Sequence, residues 1–64
     1  MVQLHFTPNQ LIQVLEPLSF PEIINEIENL VVHGVGARFL SVELLNFQIE
    51  VVREEEVEVS YPGS

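Results

Sequence analysis

Glutamates cluster near the end of the chain, and they are the side chains whose type and spacing could support chemistry. Glu54, Glu55 and Glu56 are consecutive, and Glu50 and Glu58 lie close on either side. Oxygen-rich groups of this kind suit Ca²⁺ or Mg²⁺. The spacing does not fit an EF-hand loop, which needs several Asp or Asn residues and a central Gly. We favour the alternative, a solvated acidic turn that prevents aggregation through sheet edges.

Catalytic groups are scarce in this chain. It contains no Cys and no Lys, which excludes nucleophilic catalysis by either residue and excludes thiolate metal sites. His5 and His33 have no evident partner nearby in the sequence. A pair of Glu side chains could act as acid and base, but 64 residues leave little volume for the pocket that such a site needs. We therefore expect a protein that is not an enzyme and binds no cofactor.

Gly34-Val35-Gly36 contains two of the glycines of a phosphate-binding loop. The segment follows a predicted helix where such a loop would follow a strand, and no third glycine completes the dinucleotide pattern. No Lys is present to hold a phosphate group. We interpret this segment as the end of a helix followed by a turn.

The charge balance limits the partners that the chain could bind. All ten acidic residues are Glu and only two Arg residues are positive, which gives a formal net charge of −8. Nucleic acids and anionic membranes attract Lys and Arg, so we expect neither as a direct partner. A basic protein is the partner that the acidic side chains would suit. The candidate acidic binding surface comprises Glu22, Glu26, Glu50, Glu54, Glu55, Glu56 and Glu58.

The size and composition favour association. Below about 70–80 residues one core seldom supplies more than about 3–5 kcal/mol without a disulfide, a metal or an oligomer. This chain has 64 residues, 47% of them hydrophobic, and no cysteine. Its mean hydropathy is +0.29. We therefore expect a homodimer. The N-terminus lacks a basic targeting segment, and we expect the protein in the cytoplasm.

The first third of the chain is predicted to form a strand and a capped helix. Apolar and polar residues alternate over residues 2–6, as in a half-buried strand. Thr7-Pro8-Asn9-Gln10 matches a capping box, with Thr7 as the N-cap. The first helix is predicted from Pro8 to about Glu16, because Pro17 disfavours the helical conformation of the residue before it.

A second helix follows at once. Ser19-Phe20-Pro21-Glu22 also matches a capping box, which predicts Ser19 as the N-cap and a helix from Phe20 to about His33. Gly34 follows and suits the left-handed conformation that often ends a helix. The predicted apolar face of this helix consists of Ile23, Ile24, Ile27, Leu30 and Val31.

The last third is predicted to form a β-hairpin. Apolar and polar residues alternate over residues 45–51 and again over residues 57–61. Aligning Val51 with Val57 places the apolar side chains of both strands on one face, with Arg53-Glu54-Glu55 as the turn. Residues 41–52 also fit helical spacing, with Ser41 as a cap. We prefer strands because Val and Ile lose rotamer freedom in helices.

This hairpin would place charged groups opposite one another. Glu50 and Glu58 would face each other across the two strands, where like charges repel. His5 would face the same cluster if the first strand lies beside the hairpin. A lone His on a polar strand face is more often a plain surface residue, and we give it no functional role.

Residues 36–44 place apolar side chains on both faces of the chain. This is typical of a strand buried on both sides, of a long bent strand, or of a strand packed against a second subunit. The homodimer would form through this region or through sheet edges. The candidate apolar interface comprises Phe39, Leu40, Val42 and Leu44.

Together these patterns predict an α+β fold of order β-α-α-β-β, in which two short capped helices pack on one antiparallel sheet. Residues 1–61 are predicted to form the single domain, and residues 62–64 a disordered tail. We expect first a non-catalytic protein-interaction module, a regulator or accessory subunit that associates with itself. One alternative is an inhibitor or antitoxin-like protein that presents a nucleic-acid-mimicking acidic surface to a basic partner. Another is a divalent-cation binding domain.

Overall fold

The structure, a computed structural model, describes residues 1–63, which form two α-helices, a short 3₁₀ helix and four strands. The predicted α+β class is confirmed, and a further short strand precedes the predicted hairpin. In chain order the elements are β1 (Val2–Phe6), α1 (Pro8–Leu15), the 3₁₀ helix (Glu16–Leu18), α2 (Pro21–His33), β2 (Arg38–Ser41), β3 (Phe47–Arg53) and β4 (Glu56–Tyr61).

The strands form one antiparallel sheet in the order β1-β4-β3-β2, so β1 and β2 are its two edges. The predicted pairing of Val51 with Val57 is confirmed. The predicted turn is corrected, because Arg53 belongs to β3 and lies opposite Glu56 after a register shift, which leaves Glu54-Glu55 as the turn. The rings of Phe47 and Tyr61 stack at the far end of the same strands, with centroids 4.6 Å apart. Parity along the two strands excludes a slip by one residue, and the position of the turn selects this alignment among the others.

Both helices pack on one face of the sheet. Helix α1 lies over β1 and β4, and α2 lies over β2 and β3. Val31 was predicted to be buried but is 40% exposed, because it lies at the margin of the helix–sheet contact beside Pro8 and Val35. The buried core consists of Leu11, Leu15, Ile23, Ile27, Leu30, Ile49, Val51, Val57 and Val59.

The first capping box is confirmed and the second is wrong. The Gln10 amide donates to Thr7 Oγ1 at 3.2 Å, and the Thr7 amide donates to Gln10 Oε1 at 3.0 Å. Ser19 instead has φ 60° and ends the 3₁₀ helix, and Phe20 caps α2 without a side-chain hydrogen bond. The reason is Pro17, which fits the first turn of a helix and lets the chain continue for one tight turn. Contrary to the expectation, Glu16 before it keeps a helical backbone, with φ −53° and ψ −48°.

The predicted start of the hairpin is also corrected. Residues 42–46 form a loop between β2 and β3, so Leu45 lies in this loop and not on the buried face of a strand. Leu45 and Asn46 both have left-handed backbones, with φ 57° and 66°. The Ser41 side chain accepts a hydrogen bond from the Leu44 amide at 3.1 Å, which closes a turn where the helical alternative placed a helix cap.

Two smaller predictions concern the ends of elements. Gly34 has the positive φ expected after α2, 90°, but its ψ of −170° lies outside the left-handed helical region. Pro62 and Gly63 have no regular secondary structure. The predicted disordered tail also includes Ser64, which lies outside the described residues.

Candidate interaction surface

A row of charged side chains crosses the outer face of the sheet, opposite the helices. The pairing of the four strands places four residues directly opposite one another, in the order His5, Glu58, Glu50 and Arg38. Arg38 Nη2 lies 2.9 Å from Glu50 Oε1, and His5 Nε2 lies 3.5 Å from Glu58 Oε2. Glu50 therefore has a cationic neighbour that offsets its repulsion with Glu58, and Glu58 lies beside a His side chain that is charged only when protonated.

The acidic turn is partly neutralised in the same way. Glu56 accepts a hydrogen bond from His5 Nδ1 at 2.8 Å and lies 3.7 Å from Arg53 Nε. Glu54 and Glu55 are exposed at the tip of the turn. Among residues 1–63, no group of three or more His or Glu side chains is arranged to hold a metal ion. The contacts of the cluster are therefore pairwise, two from Arg side chains and two from His5, and they do not assemble a cation site.

Glu22 and Glu26 lie apart from this cluster. Both line a shallow groove of about 290 Å³ between α2 and β2. Glu43, which the sequence did not single out, adds a third carboxylate from the β2–β3 loop. The two Arg residues of the chain, 38 and 53, pair with other Glu residues. The rim of the groove is therefore negative and has no arginine partner within the described part of the chain.

The predicted apolar interface residues lie around the β2 edge. Leu40 is 59% exposed and Val42 is 76% exposed, whereas Phe39 and Leu44 are half-buried against the core. Leu45 is 79% exposed and was missed as a surface residue, because its alternation with polar neighbours suggested a buried strand face. We call these five residues the β2 edge surface.

The strand in this region is not buried on both sides, and it is not long. It covers only Arg38–Ser41, and the helices lie over one face of the sheet. Leu40 lies opposite Gln48, on the face that no helix covers. Its exposure therefore follows from the two-layer architecture, in which alternate residues of an edge strand face solvent.

The backbone of β2 is also open on one side. In the described chain β2 pairs with β3 and with no second strand. The Val51 amide donates to the Ala37 carbonyl at 2.8 Å. Because hydrogen-bonded positions alternate along an antiparallel pair, the N–H and C=O groups of Arg38 and Leu40 point away from β3. These groups form a free strand edge beside the groove.

Apolar side chains and a hydroxyl line the groove between its carboxylates. Its apolar lining includes Ile23, Phe39 and Val42. The hydroxyl in the lining belongs to Ser41, whose oxygen already accepts the Leu44 amide.

Comparisons of the chain with models of protein families, with characterised proteins and with solved structures find no significant match. Within residues 1–63, no helix is long and apolar enough to cross a lipid bilayer.

Proposed function

We propose that this chain is a small non-catalytic protein-interaction module, a regulator or accessory subunit in the cytoplasm, that binds a protein through the β2 edge surface. The observation that carries this proposal is the exposure of Leu40 in the edge strand β2 and of Val42 and Leu45 in the loop that follows it. A protein partner could bury these side chains and complete the backbone hydrogen bonds of the edge.

Leu45 gives independent support. A left-handed backbone is unfavourable for a bulky residue and costs on the order of 1–3 kcal/mol. At 79% exposure, Leu45 gains little from burial within its own chain to offset this cost. Burial of a Leu or Val side chain against a partner contributes about 1.5–3 kcal/mol. Val42 and Leu45 are the most exposed residues of the surface, so contact with a partner could bury more of them than of the other three.

The homodimer expected from the composition stays a prediction. A dimer made through β2 would bring two copies of the acidic groove together, and each copy contributes Glu22, Glu26 and Glu43. Like charges brought together in an interface oppose association. The placement of the carboxylates therefore favours a partner of opposite charge at this surface.

The charge-mimic alternative has less support. A mimic of nucleic acid needs open, regularly spaced negative charges, whereas Glu50, Glu56 and Glu58 contact cationic or protonatable side chains. A basic protein partner remains the part of this alternative that the groove favours. The divalent-cation alternative has no ligand group to support it among residues 1–63.

Site-specific photo-cross-linking tests the proposed function. A photoreactive phenylalanine analogue is introduced at Val42 or at Leu45, in cells that naturally make the chain. The matched control position is Gln13, which is exposed on α1 over the opposite half of the sheet. We expect discrete protein adducts from positions 42 and 45 and not from position 13, with the adduct mass identifying the partner. No adduct from either position, or equal adducts from position 13, would contradict the proposal.

A further inference from the structure

Building on this proposed function, we propose that the β2 edge surface receives an extended segment of a basic protein, in which Lys or Arg alternates with apolar residues. The segment adds a strand beside β2 and places its basic side chains in the acidic groove. Three properties of the surface lead to this partner: the open backbone edge, the apolar floor of the groove and its carboxylate rim.

The backbone edge sets the conformation of the partner. Arg38 and Leu40 direct their N–H and C=O groups away from β3, at the spacing of alternate strand residues. An extended peptide matches this spacing, whereas a helix keeps its backbone groups in internal hydrogen bonds. Strand addition is therefore the mode of binding that satisfies the edge.

The groove determines which partner side chains fit on one face of the added strand. Residues on this face would lie beside Phe39 and Ile23, with the carboxylates of Glu22 and Glu26 at the rim. Long basic side chains fit both requirements, because their aliphatic stems cover apolar surface while their charged ends reach a carboxylate. Glu43 extends the negative rim at the end of β2.

The outer face of the sheet determines which partner side chains fit at the alternate positions of the added strand. On this face Leu40 is 59% exposed, and Arg38 is already paired with Glu50. Apolar side chains in the partner would bury Leu40 without disturbing that ion pair. The partner pattern is therefore basic on the groove face and apolar on the outer face.

A second copy of this chain does not match that pattern. Its β2 strand, Arg38–Ser41, supplies one Arg on the outer face and none on the groove face. The chain contains no Lys, and its other Arg, Arg53, lies at the turn beside Glu56. Charge complementarity therefore selects a different protein.

A synthetic peptide tests this inference with the full chain. The probe is acetylated and amidated Lys-Val-Arg-Val-Lys-Val, titrated into the protein while backbone amide signals are followed by NMR. We expect saturable shifts at Arg38 and Leu40, and slowed hydrogen exchange of the Leu40 amide. The Phe39 amide is the internal control, because it faces β3 and should be protected with or without the peptide.

Two N-methylated peptides separate strand addition from general electrostatic attraction. Methyl groups are placed on the amides of every second residue, in one set or in the other. Only the amides that face β2 donate hydrogen bonds to it. The peptide methylated at those amides should lose binding, and the peptide methylated at the other amides should keep it. Binding that survives in both peptides overturns strand addition.

Matched charge variants test the groove. The double variant Glu22→Gln with Glu26→Gln should lower the affinity for the peptide by about three- to tenfold, because two exposed ion pairs are lost. Glu54→Gln with Glu55→Gln removes the same charge at the hairpin turn, away from the groove, and should weaken it much less. Equal weakening in the two variants overturns the assignment of the basic side chains to the groove.

The remaining outcomes separate this inference from the proposed function. No peptide binding, or a Leu40 amide already protected in a dimer of the free chain, overturns the basic-strand partner. Protein adducts from position 42 in the cross-linking experiment would still support the interaction module in both cases. Absence of those adducts removes the module itself, whatever the peptide does.

Discussion

Each Arg side chain of this protein lies beside a glutamate on the outer face of the sheet or at its turn. Arg38 lies 2.9 Å from Glu50, and Arg53 lies 3.7 Å from Glu56. These contacts compensate the crowded carboxylates of the hairpin and leave Glu22 and Glu26 without an Arg. The negative groove is therefore a consequence of where two cations are placed. The composition gives the net charge, but it does not show which Glu residues lie beside an Arg and which do not.

The pairing of Arg38 with Glu50 can be tested by a double-mutant cycle. Arg38→Gln should lower the free energy of unfolding by about 0.5 kcal/mol, because Glu50 then faces Glu58 without its cation. Adding Glu50→Gln should recover most of the loss, since it also removes the repulsion. Urea unfolding at low salt measures both effects. Arg53→Gln is the control, because Arg53 is 82% exposed and its ion pair is longer. If the loss in the double variant equals the sum of the losses in Arg38→Gln and Glu50→Gln measured separately, the two side chains do not interact.

Among the secondary-structure elements, the two capping boxes show what local sequence can and cannot predict. Thr7 caps α1 as predicted, because the strand before it ends where the helix begins. Ser19 has an equally good motif but follows Pro17, and the 3₁₀ turn places it at φ 60°. A capping motif predicts an N-cap only when the preceding residues leave the chain extended at that point.

These two positions should respond oppositely to substitution. Thr7→Ala should lower the free energy of unfolding by about 1 kcal/mol through loss of the N-cap. Ser19→Gly should raise it by about 0.5 kcal/mol, because glycine adopts the left-handed conformation without steric cost. Chemical denaturation followed by circular dichroism compares both variants with the wild type. A loss of stability in Ser19→Gly would mean that Ser19 stabilises α2 as a cap.

The elements of the site were predictable to different degrees. Residue parity excluded a one-residue slip between β3 and β4, and the predicted position of the turn selected the observed pairing among the remaining alignments. The loop at residues 42–46 was not predicted, since Leu45 and Asn46 reverse the chain without a glycine. Alternation also does not reveal strand order. The sequence therefore predicted Leu40 as an apolar interface residue, but it did not predict that β2 is an edge strand.

In the molecule as a whole, net charge and apolar exposure act against each other. The exposed residues of the β2 edge surface favour association, whereas the net charge of −8 opposes association with any copy of the same chain. A stable interface removes about 800 Å² from each partner. The chain exposes 4417 Å² in all, so such an interface would take roughly a fifth of its surface. A partner with positive charge could bury this area without the repulsion.

The solution mass therefore tests which effect dominates. Light scattering at about 20 mM and about 150 mM salt should give the 7.3 kDa monomer at the lower salt, where repulsion between copies is least screened. Any dimer should increase with salt. Val42→Glu is the informative variant, and Val32→Glu is its control, because Val32 is 84% exposed at the end of α2. A dimer that persists at low salt and is lost only in Val42→Glu would mean that a second copy occupies the β2 edge surface. In that case burial of Val42 and its neighbours outweighs the repulsion among the groove carboxylates, and the homodimer expected from the composition is the functional unit.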